Sequence, residues 1–276
     1  MSITVISQIS RDYFATSGEE CIGGPVAYAG QFLATAPVIG ELVVKGANTE
    51  IQELKKNLQD SIKIRAIITK DTTTFITTEK NGTRVQEVST KCPSFTCQDI
   101  EGLTADYVHI SPIIGDISTK IIVALRQRCK ILSYDPLNND DGILEPTIRE
   151  EVLYNLRFAD IVKLSSSEAT ALFGELDPGR ACRLLSRHVP LAIVTMGEKG
   201  AYFCQNDVLF SVPSSPVCVV DSCGCGDVLS VAFLVALAEG KPLREAAAFA
   251  VRAASLKARG RGIASVPRYG EVMANG

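Results

Sequence analysis

The chain has 276 residues, of which 46% are hydrophobic and 21% charged, enough apolar material for one large core. A net charge of −3 without a long basic run gives no electrostatic footprint for nucleic acid. The longest apolar run, Val228 to Ala238, is too short to span a bilayer, so no membrane partner is expected.

Met1 to Ser10 lacks the charged start and long apolar stretch of a signal peptide, so a cytoplasmic location is expected. Ile3 to Ile6 is a β-branched run that predicts a first buried strand, with Ser7 to Asp12 following as a loop. Asp12 would then lie just beyond the strand end, where α/β proteins bind ligands. Gly23-Gly24-Pro25 opens an Ala-rich helix to about Leu33; the glycines let backbone approach a ligand and the proline suits the first helical turn. Glu41 to Val44 reads as a strand and Ala47 to Leu58 as an amphipathic helix.

Between Lys63 and Val88 the pattern changes to period-two strands. Thr72 to Thr77 and Thr83 to Val88 flank Asn81-Gly82, a strong hairpin turn signal. This threonine-rich hairpin reads either as an insertion or as a lid over a substrate. From Tyr107 the chain alternates: strands at 107–110, 131–134, 161–164 and 191–194, with helices at 117–128, 145–156, 168–173 and 179–187. Such βα alternation implies a parallel sheet covered by helices on both faces. Gly200–Cys204 and Val208–Val212 read as a closing hairpin, and Pro242 to Lys257 as a second Ala-rich helix before a glycine-rich loop, Gly260 to Pro267.

The nine cysteines are odd in number and scattered, with no Cys-x-x-Cys pair and only two histidines, which argues against a structural zinc site. Most read as small buried residues in a reducing compartment. Cys92 and Cys97, flanking Pro93 in a loop, could form a local disulfide, the lesser of the two readings.

Asp221-Ser222-Cys223-Gly224-Cys225-Gly226-Asp227 leads directly into the apolar run of a helix. A Gly-x-Gly turn opening a helix leaves backbone N–H groups unpaired, and the helix dipole adds partial positive charge, which together make an anion site. A carboxylate beside such a site repels phosphate unless it has a proton to take from something else. The chemistry this suggests is phosphoryl transfer, with the Gly224, Cys225 and Gly226 amides holding the moving group and Asp227 deprotonating a hydroxyl. The plainer reading is a glycine turn whose Asp caps a helix.

The whole stretch resembles the signature of the ribokinase-like (PfkB) carbohydrate kinases, usually Asp-Thr-x-Gly-Ala-Gly-Asp. Lys163-Leu164-Ser165-Ser166-Ser167-Glu168 resembles that family's Lys-x-Asn-x-x-Glu element, with Ser165 standing for Asn. Val194-Thr195-Met196-Gly197-Glu198-Lys199-Gly200 resembles its Val-Thr-x-Gly-x-x-Gly element. Asp12 and Gly23-Gly24 match its substrate-side motifs, Tyr28 falls where ribokinases carry Asn, and Asp135-Pro136 matches the start of a further element from which Leu137 and Asp140-Asp141 depart.

The resemblance implies a three-layer α/β sandwich with a mostly parallel central sheet, in one domain over 1–276, with a small β lid including roughly 63–89. It implies ATP as donor and Mg²⁺ as cofactor. Lys163, Ser165, Thr195, Gly197 and Gly200 would lie on the nucleotide, Glu168 would orient waters around Mg²⁺, and Asp12, Gly23, Gly24 and Tyr28 would meet the acceptor. It also implies a monovalent-cation (K⁺) site between the Gly260–Pro267 loop and the backbone near Asp221. The expected activity is phosphorylation of a neutral polyol or monosaccharide, myo-inositol first, because Gly-Gly-Pro-x-x-Tyr, the Thr-rich strand and Ser111 to Asp116 look most like the inositol-kinase-like branch. A nucleoside kinase is the main alternative, with Tyr28 or Phe75 stacking on a base; a vitamin kinase and a non-catalytic binding protein follow. Monomer and lid-paired homodimer are both open.

Overall fold

The computed structural model describes every residue except 16–17, 60, 81–82, 114, 137–144 and 276, and leaves aside the side chains of 79–86. The Asn81-Gly82 turn, Ile114, Leu137 and Asp140-Asp141 therefore lie outside the described residues.

In chain order the strands are β1 (Ser2–Gln8), β2 (Ser10–Phe14), β3 (Glu19–Gly23), β4 (Ile39–Ala47), β5 (Lys63–Thr69), β6 (Thr73–Lys80) and β7 (Thr83–Thr90). They continue with β8 (Ala105–Ile110), β9 (Cys129–Tyr134), β10 (Ile161–Ser165), β11 (Leu191–Thr195), β12 (Ala201–Gln205) and β13 (Val208–Val212). The helices are α1 (Pro25–Leu33), α2 (Asn48–Leu58), α3 (Thr119–Arg126), α4 (Pro146–Leu156), α5 (Ser166–Phe173), α6 (Pro178–Leu185), α7 (Cys225–Ala238), α8 (Leu243–Lys257) and α9 (Tyr269–Ala274).

Nine strands form one sheet in the order β13-β12-β11-β10-β9-β8-β1-β4-β5, parallel except for the hairpin that adds β12 and β13. Parallel strands covered on both faces must be apolar on both, and β10 and β11 are buried along almost their whole length. Alternate strand residues feed two cores. Ile3, Val5, Leu42, Val44 and Ile193 pack with α1, α2, α7 and α8, while Ile6, Val43, Val162, Leu164 and Val194 pack with α3 to α6. Helix α7 is apolar on every side and buried from Val228 to Ala236, so it is the central helix of its layer.

The sheet order reverses between β1 and β8: the chain goes from β1 outward through β4 and β5, then returns to β8 and proceeds the other way. A crevice opens at the carboxyl ends of strands on either side of such a switch, which is where ligands bind in open α/β sheets.

A second sheet, β3-β2-β6-β7, forms the lid. Two expectations change here. Ser7 and Gln8 continue β1, and Ser10–Phe14 is a lid strand rather than a loop, so Asp12 is carried on the lid itself. Of the 63–89 stretch only β6 and β7 join the lid: β5 pairs in parallel with β4 from Glu41↔Lys63 to Ala47↔Thr69 and belongs to the main sheet. Its period-two pattern is that of an edge strand with one wet side, which alternation alone does not separate from a lid strand. The Cys92–Cys97 pairing is also overturned: Cys92 is buried near the Thr69 hydroxyl, Cys97 is exposed, and both are free thiols.

Candidate active site

The anion turn forms as its residues require. Gly224 caps α7 in the left-handed conformation (φ 75°), open to glycine at little cost. The Asp221 carboxylate accepts the Cys223 amide at 3.0 Å and fixes the approach to the turn. Of the three amides expected to hold the phosphoryl group, that of Cys225 is already engaged, donating to the Ser222 carbonyl at 3.2 Å, whereas those of Gly224 and Gly226, and that of Asp227, meet no backbone acceptor among the described residues. These three remain available to an anion, with the α7 dipole behind them.

Asp227 stands in the first turn of α7, facing a cluster of charge from the sheet. Lys163 on β10 bonds Asp135, one residue past the end of β9, at 2.6 Å. Glu168, in the first turn of α5, is buried too. A Cβ on Gly226 would come within 2.8 Å of the Lys163 ammonium, so the lysine lies directly against the α7 turn. Burial pushes the Asp227 carboxyl up to about 6, opposed by the charges of Lys163 and Lys257. Burial raises Glu168 to about 7 and Asp135 to about 6, each opposed by Lys163. Lys163 itself is held above its ordinary value, because Asp135, Glu168 and Asp227 outweigh its own burial. His109, in contact with the Ser133 hydroxyl and fully buried, is lowered to about 3 by burial and then by Lys163, so it is neutral in the working range. That leaves carboxylates as the bases of this site.

Glu168 is more than a first-turn glutamate in water. It closes a capping box with Ser165, accepting the Ser165 amide at 2.6 Å while the Ser165 hydroxyl accepts the Glu168 amide at 3.2 Å. Ser165, replacing the Asn of the motif, thus spends its side chain on the helix start. Asp135 has one buried oxygen, Oδ1, with no hydrogen-bond partner among the described residues, although its other oxygen binds Lys163. An orphaned carboxylate oxygen in a polar cleft suits a metal-bound water. The described residues hold no cluster of three metal-ligating side chains.

A cavity of about 960 Å³ runs from this cluster outward, lined by Lys163, Ser165, Glu168, Thr195, Gly197, Gly200 and the 222–227 turn. It continues past Ser214–Val217 and Val219 to Val251, Ala254, Ser255 and Ala258 on α8 and just after it. Gly197 (φ 57°) and Gly200 (φ 92°) make the turn after β11. A Cβ on Gly200 would collide with the backbone of Val212 to Ser214, so only glycine lets that loop close here. All five residues expected on the nucleotide, and Glu168, therefore line one cavity. Sequence reasoning left Asp135 out of the site, and the signal available was the Asp-Pro pair directly after a buried strand.

Of the residues expected to meet the acceptor, Asp12 and Gly23 lie on the lid, Gly24 caps α1 and Tyr28 lies within that helix. Asp12 is buried, and its carboxylate accepts the Ser10 hydroxyl at 3.1 Å. Any side chain on Gly23 would displace that carboxylate, and Gly24 (φ 83°) passes so close to Gln8 that a Cβ would sit 2.9 Å from its carbonyl. Both glycines are thus explained by close approach. Arg11, adjacent to Asp12, faces the other side of β2 and binds Glu50 at 2.9 Å and Glu53 at 3.0 Å. Phe75 is the strand partner of Asp12 and is half-buried on the same face. Tyr28 is not a surface for a base to stack on: it is 3% exposed, with its ring under Gly224. Its hydroxyl hydrogen-bonds Cys223 and feels the charge of Asp12, so lid and anion turn meet at this residue; burial pushes its ionisation well up.

Cys225 sits at the helix N-terminus, yet burial pushes its thiol up to about 12, only partly opposed by Lys257. Cys225→Ala is expected to retain most of the wild-type kcat, and Cys225 to react slowly with iodoacetamide at neutral pH. Steady-state assay and mass spectrometry of the alkylated peptides check both, and loss of turnover comparable to removing Asp227 would assign the thiol a direct part.

A family model described as pfkB family carbohydrate kinase matches residues 45–268. Ribokinase of Bacillus subtilis (strain 168) is 42% identical over 89 residues, 32% of this chain and 29% of that protein. Matches to the curated relatives span about half of their length or less. Among solved structures, a pyrophosphate-dependent kinase in the ribokinase family, complexed with a pyrophosphate analog and myo-inositol, superposes with a TM-score of 0.85 at 20% identity over 99% of both chains. An aminoimidazole riboside kinase from Salmonella enterica, complexed with aminoimidazole riboside and an ATP analog, gives 0.82 at 19% identity, also over 99% of both. At such identities the structural likeness establishes the ribokinase-like fold. The family match over most of the length, together with an anion turn, the Asp227 carboxylate and a charge cluster at the carboxyl ends of β9 and β10, leads to one conclusion: the chain belongs to the pfkB family of carbohydrate kinases.

Proposed function

We propose that this protein transfers the γ-phosphoryl group of ATP to a hydroxyl of a small neutral polyol or monosaccharide. The observation that carries the reading is Asp227 in the first turn of α7, its carboxyl raised by burial, beside amides of the turn that meet no backbone acceptor among the described residues. Asp227 takes the proton of the attacking hydroxyl, the Gly226 and Asp227 amides receive the charge of the moving phosphoryl group, and Lys163 adds a fixed positive charge beside them. Mg²⁺, when bound, would neutralise the donor phosphates, with Glu168 and the unpartnered Asp135 oxygen holding its waters.

The donor follows from the shape of the cavity. Its extension past Ser214–Val217 to the small side chains of α8 supports a nucleoside triphosphate rather than pyrophosphate, which would fill only the end near Asp227. ATP is expected to support turnover and pyrophosphate to give at most a small fraction of it. Equal rates with the two donors would reverse that choice.

A neutral acceptor is supported by the Asp12 carboxylate and Ser10 hydroxyl on the lid, and by Arg11 being held by three glutamates, Glu20, Glu50 and Glu53. ADP release measured with myo-inositol, ribose, fructose 6-phosphate, adenosine and cytidine decides the class. Turnover of a nucleoside alone would favour the second reading, for which half-buried Phe75 beside Asp12 is the base-stacking surface.

A further inference from the structure

The family resemblance implies a monovalent-cation site between the loop after α8 and the backbone at Asp221, and the residues present do not fit one. The ammonium of Lys257, the last residue of α8, occupies that place. Its Nζ lies 3.1 Å from the Asp221 carbonyl, 3.3 Å from the Asp221 carboxylate and 3.3 Å from the Gly260 carbonyl. The side chain is 0% exposed, and the same ammonium stands 5.5 Å above the centre of the Tyr28 ring. The neighbouring carbonyls are engaged as well: Ala258 accepts the Val220 and Asp221 amides, Gly262 accepts the Ser265 amide and hydroxyl, and Ile263 accepts the Val266 amide. No open cage of oxygens is left for a free ion among these groups.

We propose that Lys257 is a built-in replacement for the monovalent cation and positions the anion turn. A buried ammonium is costly unless several acceptors surround it, and here three oxygens and an aromatic face do. What it holds is the entry to the turn. The Asp221 carboxylate gripped by Lys257 also accepts the Cys223 amide at 3.0 Å, and Tyr28, under the ammonium, is the ring on which Gly224 rests. One charge therefore ties the end of α8, the start of α7 and helix α1 together. Its field also reaches Asp227, whose ionised form it favours. K⁺ and NH₄⁺ are close in size and both seek oxygen ligands, so a tethered ammonium can take the role of either.

The activity arm of the test rests on the proposed kinase reaction, whereas the thermal arm does not. Wild-type protein is expected to show the same kcat and the same Tm in KCl, NH₄Cl and tetramethylammonium chloride at matched ionic strength. Lys257→Ala is expected to melt lower and turn over about 10²-fold more slowly in tetramethylammonium chloride. K⁺ and NH₄⁺ should each restore part of both quantities, which a lysine that merely fills space would not allow. Activation or thermal stabilisation of the wild type by K⁺ over tetramethylammonium overturns the proposal without need of any variant. So does a Lys257→Ala protein that melts and turns over alike in all three salts. If no wild-type kinase activity is found, the cation dependence of the two Tm values still decides.

Discussion

Asp227→Asn is expected to lower kcat by about 10²–10⁴-fold while leaving ATP affinity unchanged or tighter. Asn keeps the size of the side chain and the first turn of α7, so what is lost is the proton acceptor. Affinity does not fall because a negative charge beside the phosphates has gone. The pH dependence follows from the same burial. Asp227 must be ionised to act, so wild-type kcat/KM should decline as pH falls through about 6, its raised value. The sign for stability is opposite. A folded-state value above the ordinary 3.8 means the folded chain disfavours the ionised form, so Asp227 costs stability above about pH 6, and the cost fades between about 6 and 3.8. The variant should therefore have a higher Tm than wild type at pH 8 and the same Tm below about pH 4. Binding measured with a non-hydrolysable ATP analogue, turnover in a coupled assay and thermal melts at the two pH values check the three parts. Near-wild-type kcat in the variant would remove Asp227 from the mechanism.

Why could Asp227 be found from sequence, when Lys257 and Asp135 could not be placed? The Asp227 signal is local: glycines and a carboxylate within seven residues, followed by an unbroken apolar run, specify turn, helix start and base together. The βα alternation after Tyr107 is also local, and each of its predicted strands and helices forms within a few residues of its expected ends. Lys257 is different. It ends an Ala-rich helix with the look of a solvated C-terminal lysine, and only the folding of that helix end against Asp221, 36 residues away, makes it buried. The lid misled for a related reason. β2 and β3 are separated from β6 and β7 by α1, β4, α2 and β5, so the pairing of Ser10–Phe14 with Thr73–Thr77 has no trace in local periodicity. Period-two alternation identified β5 as a strand but could not assign its sheet. Tyr28 was legible as a position but not as a role, since a ring at one helical turn from Gly24 can face either ligand or core, and here it supports the glycine turn from below.

That support makes Gly224→Ala the second large effect. Gly224 has φ 75°, where an L-residue pays about 1–2 kcal/mol, and the added methyl would fall within the Tyr28 ring. The ring cannot easily yield, being 3% exposed and held between Lys257 and Cys223. The turn must shift instead, carrying the Gly226 and Asp227 amides and the Asp227 carboxylate with it. A displacement of about 1 Å at reacting groups costs on the order of 10²-fold, and misplaced oxyanion donors cost 10²–10³-fold, so kcat should fall by roughly 10²–10³. Gly240 is the control, because it has nearly the same φ, 79°, and nothing within 4 Å of an added methyl. Gly240→Ala should pay the backbone cost alone, seen as a lower Tm at nearly normal kcat. Adding Tyr28→Ala to Gly224→Ala removes the overlap and should recover part of the lost turnover, leaving the strain of the positive φ. If Gly224→Ala instead turns over like Gly240→Ala, the packing of Tyr28 against the turn does not set the geometry of the anion site.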